Sequence, residues 1–202
     1  MAQLPSLLFE QKPSMSSGAF RALAESLMTE KDASFFKFLS INYDPASEED
    51  DQNTEYDQGS SAESSSSTGC SFIDNWREWE RTLRLNLAKQ RAVKIGRDIK
   101  SITEPPVIYM DAASAAVKAI DETSPVDAEL VIDRARWNAI VGFVGSNYFD
   151  QMNVYAYYLK LLLLERRQMF NTDAGFAEYK TLYNEIIENY QNSGFNSPGA
   201  SK

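Results

Sequence analysis

The chain has 202 residues, 43% of them hydrophobic, with one cysteine and no histidine. That length suits one domain with a sizeable core, or one domain with a small appendage, and the lone Cys70 excludes an internal disulfide framework and fits a reducing cytoplasm. The net charge of −9 resides in one stretch: Tyr43 to Thr68 carries eight acids and no Lys or Arg, so the remainder is close to neutral and the overall balance does not favour nucleic acid as a partner.

The start, MAQLPSLLFEQKP, has neither the basic region nor the apolar run of a signal peptide. Leu4-Pro5-Ser6-Leu7-Leu8-Phe9 reads as an extended segment that docks on the core, and Pro5 argues against a central strand. Ala19 to Met28 is predicted helical, with Phe20, Leu23, Leu27 and Met28 on its apolar side and Ser16 or Ser17 at the cap. Thr29-Glu30-Lys31-Asp32 resembles a capping box with Asp in place of Glu, opening a second helix that runs to about Leu39 and buries Phe35, Phe36, Phe38 and Leu39. The two helices are expected to form a hairpin. Residues 44–70 are Ser-, Asp- and Glu-rich, with almost no apolar side chains to offset the entropy of ordering, and are predicted to be a disordered linker.

Ser71 to Arg97 is the longest well-signed helix. Ser71 is the expected N-cap, Asp74 suits the first turn and Gly96 followed by Arg97 marks the stop. At 100° per residue Phe72, Trp76, Trp79, Leu83 and Leu87 share an arc of about 80°. Arg77, Arg81, Arg84 and Arg91 share a neighbouring arc with Ala88, Ala92 and Ile95. A face that mixes arginine with small apolar residues differs from a solvated charge stripe, and these four arginines are the candidate partner-binding residues.

Thr103-Glu104-Pro105-Pro106 is a further stop. Asp111 to Ile120 is a small alanine-rich helix suited to close packing. Ser124-Pro125-Val126-Asp127 is a strong helix start, and that helix continues to about Val144 with Ala128, Val131, Ile132, Ala135, Ile140 and Val141 among its apolar residues. Asp150 caps the next helix, which runs to roughly Phe170. Its middle, Val154 to Leu164, is apolar nearly all round, which predicts a central buried helix, and is well short of the roughly 20 residues a membrane span needs. Asp173 caps a last helix carrying Phe176, Tyr179, Leu182, Tyr183, Ile186 and Ile187. The expected architecture is an all-α bundle of about seven helices with a disordered acidic insert. Its predicted parts are an N-terminal segment and hairpin over 1–43, the linker over 44–70, a main bundle over 71–191 and a flexible tail over 192–202. The first and third form one domain.

Without histidine the chain lacks the commonest general base and the commonest zinc ligand. It has no phosphate-cradling glycine loop and no nucleophile elbow. Asp133 with Glu165, or Glu78 with Glu80, are the carboxylate pairs open to acid–base work, but their spacing singles out neither. The expectation is a protein that is not an enzyme, with no catalytic, metal or cofactor-binding residues and no small-molecule substrate. Arg134, Arg136, Arg166 and Arg167 read best as a structural network with Asp133, Glu129 and Glu165, ahead of a phosphate or nucleic-acid surface.

Several blocks resemble a known family. They are Trp76-Arg77-Glu78-Trp79-Glu80-Arg81, Leu83-Arg84, Leu87-Ala88, Arg91-Ala92 and Gly96-Arg97-Asp98. Further along come Ser124-Pro125 with Glu129, Asp133-Arg134-Ala135-Arg136-Trp137, Tyr148-Phe149-Asp150, and Tyr158-Leu159-Lys160-Leu161 with Leu163-Leu164-Glu165-Arg166. Leu4-Pro5-Ser6-Leu7 looks like the N-terminal block of the same family, whose members are encoded in V-type (A/V-type) ATPase operons of spirochaetes, chlamydiae and Bacteroidetes. The family is similar to the C/d-type subunit, the helical socket between central stalk and membrane ring. The resemblance implies a non-catalytic component or accessory factor of a bacterial V-type ATPase. It would bind other subunits of the stalk or ring, and would be cytoplasmic or peripheral at the inner face of the cell membrane. The alternative is an anion- or nucleic-acid-binding helical module using the arginine face of the 71–97 helix.

Overall fold

The computed structural model describes residues 4–41, 67–145, 150–169, 180–187 and 189. The acidic stretch over 42–66, Asp173 with Phe176 and Tyr179, and the tail over 192–202 lie outside the described residues. The chain divides into two compact units, Met1–Glu165 and Arg166–Lys202. Among the described residues there is no strand, and the expected all-α, multi-helix architecture is what the structure shows.

The helices are α1 (Ser17–Leu27), α2 (Glu30–Ser34), α3 (Ser71–Lys94), α4 (Met110–Asp121), α5 (Pro125–Val144) and α6 (Gln151–Met169), with a 3₁₀ turn over Phe35–Phe38 after α2. Local chemistry sets most of their starts. Ser16 Oγ accepts from the Ala19 amide, and Thr29 Oγ1 accepts from the Asp32 amide, as the capping pattern predicts. Asp150 Oδ1 accepts from the Gln151 amide at 2.7 Å. The start of α3 departs from expectation. Cys70 holds the cap position without a side-chain bond, and Ser71 is already helical. Asp74 does the anchoring instead, accepting from the Thr68 amide and hydroxyl and from Ser67 Oγ, so residues 67–70 are held to the helix rather than belonging to a linker. Ser124 likewise makes no side-chain cap bond, and Pro125 alone marks the start of α5.

α3 ends three residues earlier than predicted, at Lys94. Gly96 takes φ +69°, its amide donates to Val93 O, and the Arg97 amide donates to Ala92 O at 2.9 Å. That pair of bonds is a Schellman closure, which needs a left-handed residue that glycine adopts without strain.

Phe72, Trp76, Trp79, Leu83 and Leu87 are all buried, as their shared arc predicts. The Trp76 and Trp79 rings stack at 5.8 Å. Each indole is also a tie: Trp76 Nε1 donates to Ser40 O, and Trp79 Nε1 donates to Asp111 Oδ2 at 2.8 Å. Asp111 beside Trp79, and Ile120 O accepting from Lys94 Nζ, make α4 run in the same sense as α3. The facing surface of α4 is Ala112, Ala115, Ala116 and Ala119, all buried, which lets the helices approach closely. α6 buries Tyr155, Ala156, Tyr158, Leu159, Leu161, Leu163 and Leu164, as a central helix should. Tyr155 donates to Asp32 O and meets Phe35 and Phe36 edge-on, holding the 3₁₀ turn against α6.

The N-terminal segment docks as expected. Pro5 O accepts from Tyr157 Oη, Phe9 meets Trp137 edge-on at 5.6 Å, and Glu10 pairs with Arg134. Leu23, Leu27 and Val141 fall outside the core, contrary to their spacing. α1 instead buries Phe20 and Ala24 on a narrower face. In the second unit residues 180–187 are helical, with Leu182, Tyr183, Ile186 and Ile187 all exposed.

Candidate functional site: the arginine face of the long helix

The arginine arc begins beside a buried carboxylate. Glu80 is only 7% exposed and lies four residues after Trp76 and three before Leu83, between the apolar arc and the arginine arc. It survives there because Arg136 of α5 reaches across: Nε donates to Glu80 Oε2 at 3.0 Å and Nη2 to Oε1 at 2.7 Å. The third guanidinium edge, Nη1, donates to Asp133 Oδ1 at 3.0 Å. A planar fork matched to a carboxylate is the strongest geometry two such groups adopt. Burial disfavours the Arg136 charge, but the two carboxylates outweigh it and hold the guanidinium above its ordinary pKa. Among the described residues no buried side-chain polar atom lacks a partner.

Arg84 extends the network toward the surface. Its Nε donates to Glu80 Oε1 at 2.9 Å and its Nη2 to Ile41 O at 2.8 Å. Arg84 thus joins α3 to the residues that follow the 3₁₀ turn. Arg81 pairs with Glu78 one turn back, and the Arg77 guanidinium lies 5.7 Å from the centre of the Phe38 ring. All three are half-buried. Arg91 is exposed, and its side chain makes no hydrogen bond or ion pair among the described residues. Three of the four candidate partner-binding residues are therefore held within the first unit, and the fourth faces solvent at the end of α3.

Beside Arg91 the closing turn of α3 leaves a shallow groove of about 280 Å³, lined by Ala88, Arg91, Ala92, Ile95, Arg97, Asp98 and Ile102. Arg97, the arginine after the Schellman glycine, joins Arg91 there although it lies past the helical arc. A helix carried on to Arg97 would put it on the tryptophan side, whereas the turn at Gly96 places it beside Arg91.

The expected network of the remaining arginines is found only in part, since Arg134 pairs with Glu10, an acid outside it. Arg136 pairs with Asp133, as expected, but its main partner is Glu80, which lies 56 residues away in sequence. Glu165 accepts from the amide and hydroxyl of Ser17 and so closes the start of α1. Asp133 and Glu165 thus serve different partners, as do Glu78 and Glu80, and neither pair shares a site. Among the described residues no group of three or more acids or cysteines is placed to hold a metal ion. No helix among them is long and apolar enough to cross a membrane. Compared with protein-family models, curated proteins and solved structures, the chain matches none.

Proposed function

We propose that the protein is a non-catalytic component or accessory factor of a bacterial V-type ATPase, an adaptor of the C/d kind between central stalk and membrane ring, acting through protein–protein contacts. The observation that carries this reading is the ordered set of sequence blocks from Leu4-Pro5 to Glu165-Arg166. Their residues are the ones that hold the helices together: Trp76, Trp79, Glu80, Arg84, Asp133, Arg136 and Tyr158. A resemblance carried by those positions supports a helical scaffold of that kind. Such a protein would work in the cytoplasm at the inner face of the membrane, carried there by its complex. The test is affinity purification of the tagged protein from its source cells. Stalk or ring subunits of a rotary ATPase are expected in stoichiometric yield. An intact stalk-and-ring complex purified from the same cells without this protein would end the reading.

The second reading is a helical module for anions or nucleic acid on the same arginine face. The pairing of Arg84 with Glu80 and of Arg81 with Glu78 speaks against it, because a phosphate at either arginine would have to displace a carboxylate. Titration with RNA and polyphosphate across a range of salt decides it: a steep loss of binding with salt supports that module, and no binding removes it.

A further inference from the structure

The groove at the end of α3 has a chemistry that the fold does not use. Its floor is apolar, from Ala88, Ala92, Ile95 and Ile102, and its two cationic groups, Arg91 and Arg97, have no ionic partner among the described residues. The nearby acids are engaged: Asp98 Oδ1 accepts from the Lys100 amide, and Glu104 pairs with Lys89 at 2.6 Å. Between residues 89 and 104 five basic side chains face two acidic ones, an excess of three positive charges. Ile95 in the groove and its neighbour Val93 are 63% and 55% exposed. Basic residues in a last helical turn complement the helix dipole, which accounts for Arg91 and Lys94. It accounts neither for Arg97, which lies beyond the helix, nor for the exposed Val93 and Ile95.

We infer that this groove docks an acidic amphipathic segment of a partner protein, with carboxylates on Arg91 and Arg97 and an apolar side chain against the alanine and isoleucine floor. Charge complementarity selects the acidic class, since arginine forks bind carboxylates with two parallel bonds. The apolar floor selects a side chain over a free phosphate. The groove also lacks an aromatic ring on which a nucleobase would stack. The inference rests on the reading above only in taking the protein to act through contacts with other proteins.

The test uses the full chain and three probes. They are a fluorescein-labelled helical peptide bearing Glu and Leu on one face, the same peptide with Gln for Glu, and vesicles of phosphatidylserine in phosphatidylcholine. The wild type is expected to bind the Glu peptide about tenfold or more tighter than the Gln peptide, with affinity falling as salt rises. The double variant R91E/R97E is expected to lose that preference while keeping its circular dichroism and melting temperature. Equal binding of the Glu peptide by wild type and variant overturns the inference, as does absence of binding. Vesicle binding that R91E/R97E abolishes, without peptide binding, overturns it in favour of a lipid surface. The ATPase reading fails separately. If wild type and R91E/R97E both carry stalk subunits through purification, the adaptor reading stands and the groove is not its contact. If neither does while peptide binding depends on the arginines, the groove stands and the adaptor reading falls.

Discussion

At the scale of single residues, Arg136 carries the most weight. It bonds two carboxylates in a place almost closed to water, and removing one member of such a set leaves charge uncompensated. Arg136→Ala is expected to cost about 3–5 kcal/mol in urea unfolding, whereas replacing Glu80, Asp133 and Arg136 together by apolar side chains of similar volume is expected to recover most of the loss. Arg84→Ala, with its side chain 35% exposed, is expected to cost about 1 kcal/mol or less. A loss below that level for Arg136→Ala would show that the site is open to water. Asp74 gives a second residue-level expectation. Partial burial pushes its pKa up, but hydrogen bonds from Thr68 and Ser67, with the Arg77 charge behind them, outweigh that and hold it below the ordinary carboxylate value. Because the folded carboxyl titrates below the unfolded one, its stabilisation is complete above the ordinary carboxylate range and drains away as pH falls through the folded value. Asp74→Asn is therefore expected to be less stable by about 1 kcal/mol at neutral pH, a gap that closes in thermal melts taken at progressively lower pH.

At the scale of elements, α4 shows how small side chains set the spacing of helices. Ala112, Ala115, Ala116 and Ala119 recur at helical period and are all buried against the bundle. Ala116→Leu is expected to overpack that interface and cost about 1–3 kcal/mol, while Val117→Ala on the exposed side is expected to stay within about 0.5 kcal/mol. Matching melting temperatures for the two variants would mean that α4 is loosely held. This helix was legible in the sequence, as were the starts of α1, α2 and α6, because caps and periodicity are local signals. The tryptophan face of α3 was legible for the same reason. What stayed hidden depends on distant chain. Glu80 reads as one more surface acid until Arg136 is brought across from α5, although its place between Trp76 and Leu83 was a clue. Ser71 fits a cap by residue type, yet the shape of residues 67–70 gave that work to Asp74. Leu27 and Val141 obey the period but are left exposed, 79% and 48%, by the described elements. Arg97 was missed as a companion of Arg91 because a turn, not a helix, places it there.

At the scale of the first unit as a whole, the chain's early residues are tied to its late helices by few contacts. Pro5 O takes a hydrogen bond from Tyr157, and Phe9 lies between the Trp137 ring and the Arg134 guanidinium, which stands 4.8 Å from the phenyl centre. Leu4 and Leu8 are about half exposed, so of the segment's leucines only Leu7 packs against the core. Detaching the segment from Trp137 and Tyr157 should leave the core intact. The three tryptophans make this measurable, since Trp76 and Trp79 are sealed inside and Trp137 alone is half-buried beneath Phe9. Phe9→Ala is expected to lower stability by about 1 kcal/mol, the worth of an edge-on aromatic pair, and to raise acrylamide quenching of one tryptophan component while the other two stay protected. Uniform quenching of all three would mean that the segment helps to close the core. Unchanged quenching would mean that Trp137 is covered without it. The expected split follows from where the energy lies: the aromatic stack on α3 and the ion network beside it hold the bundle, and the segment covers one ring on its outside.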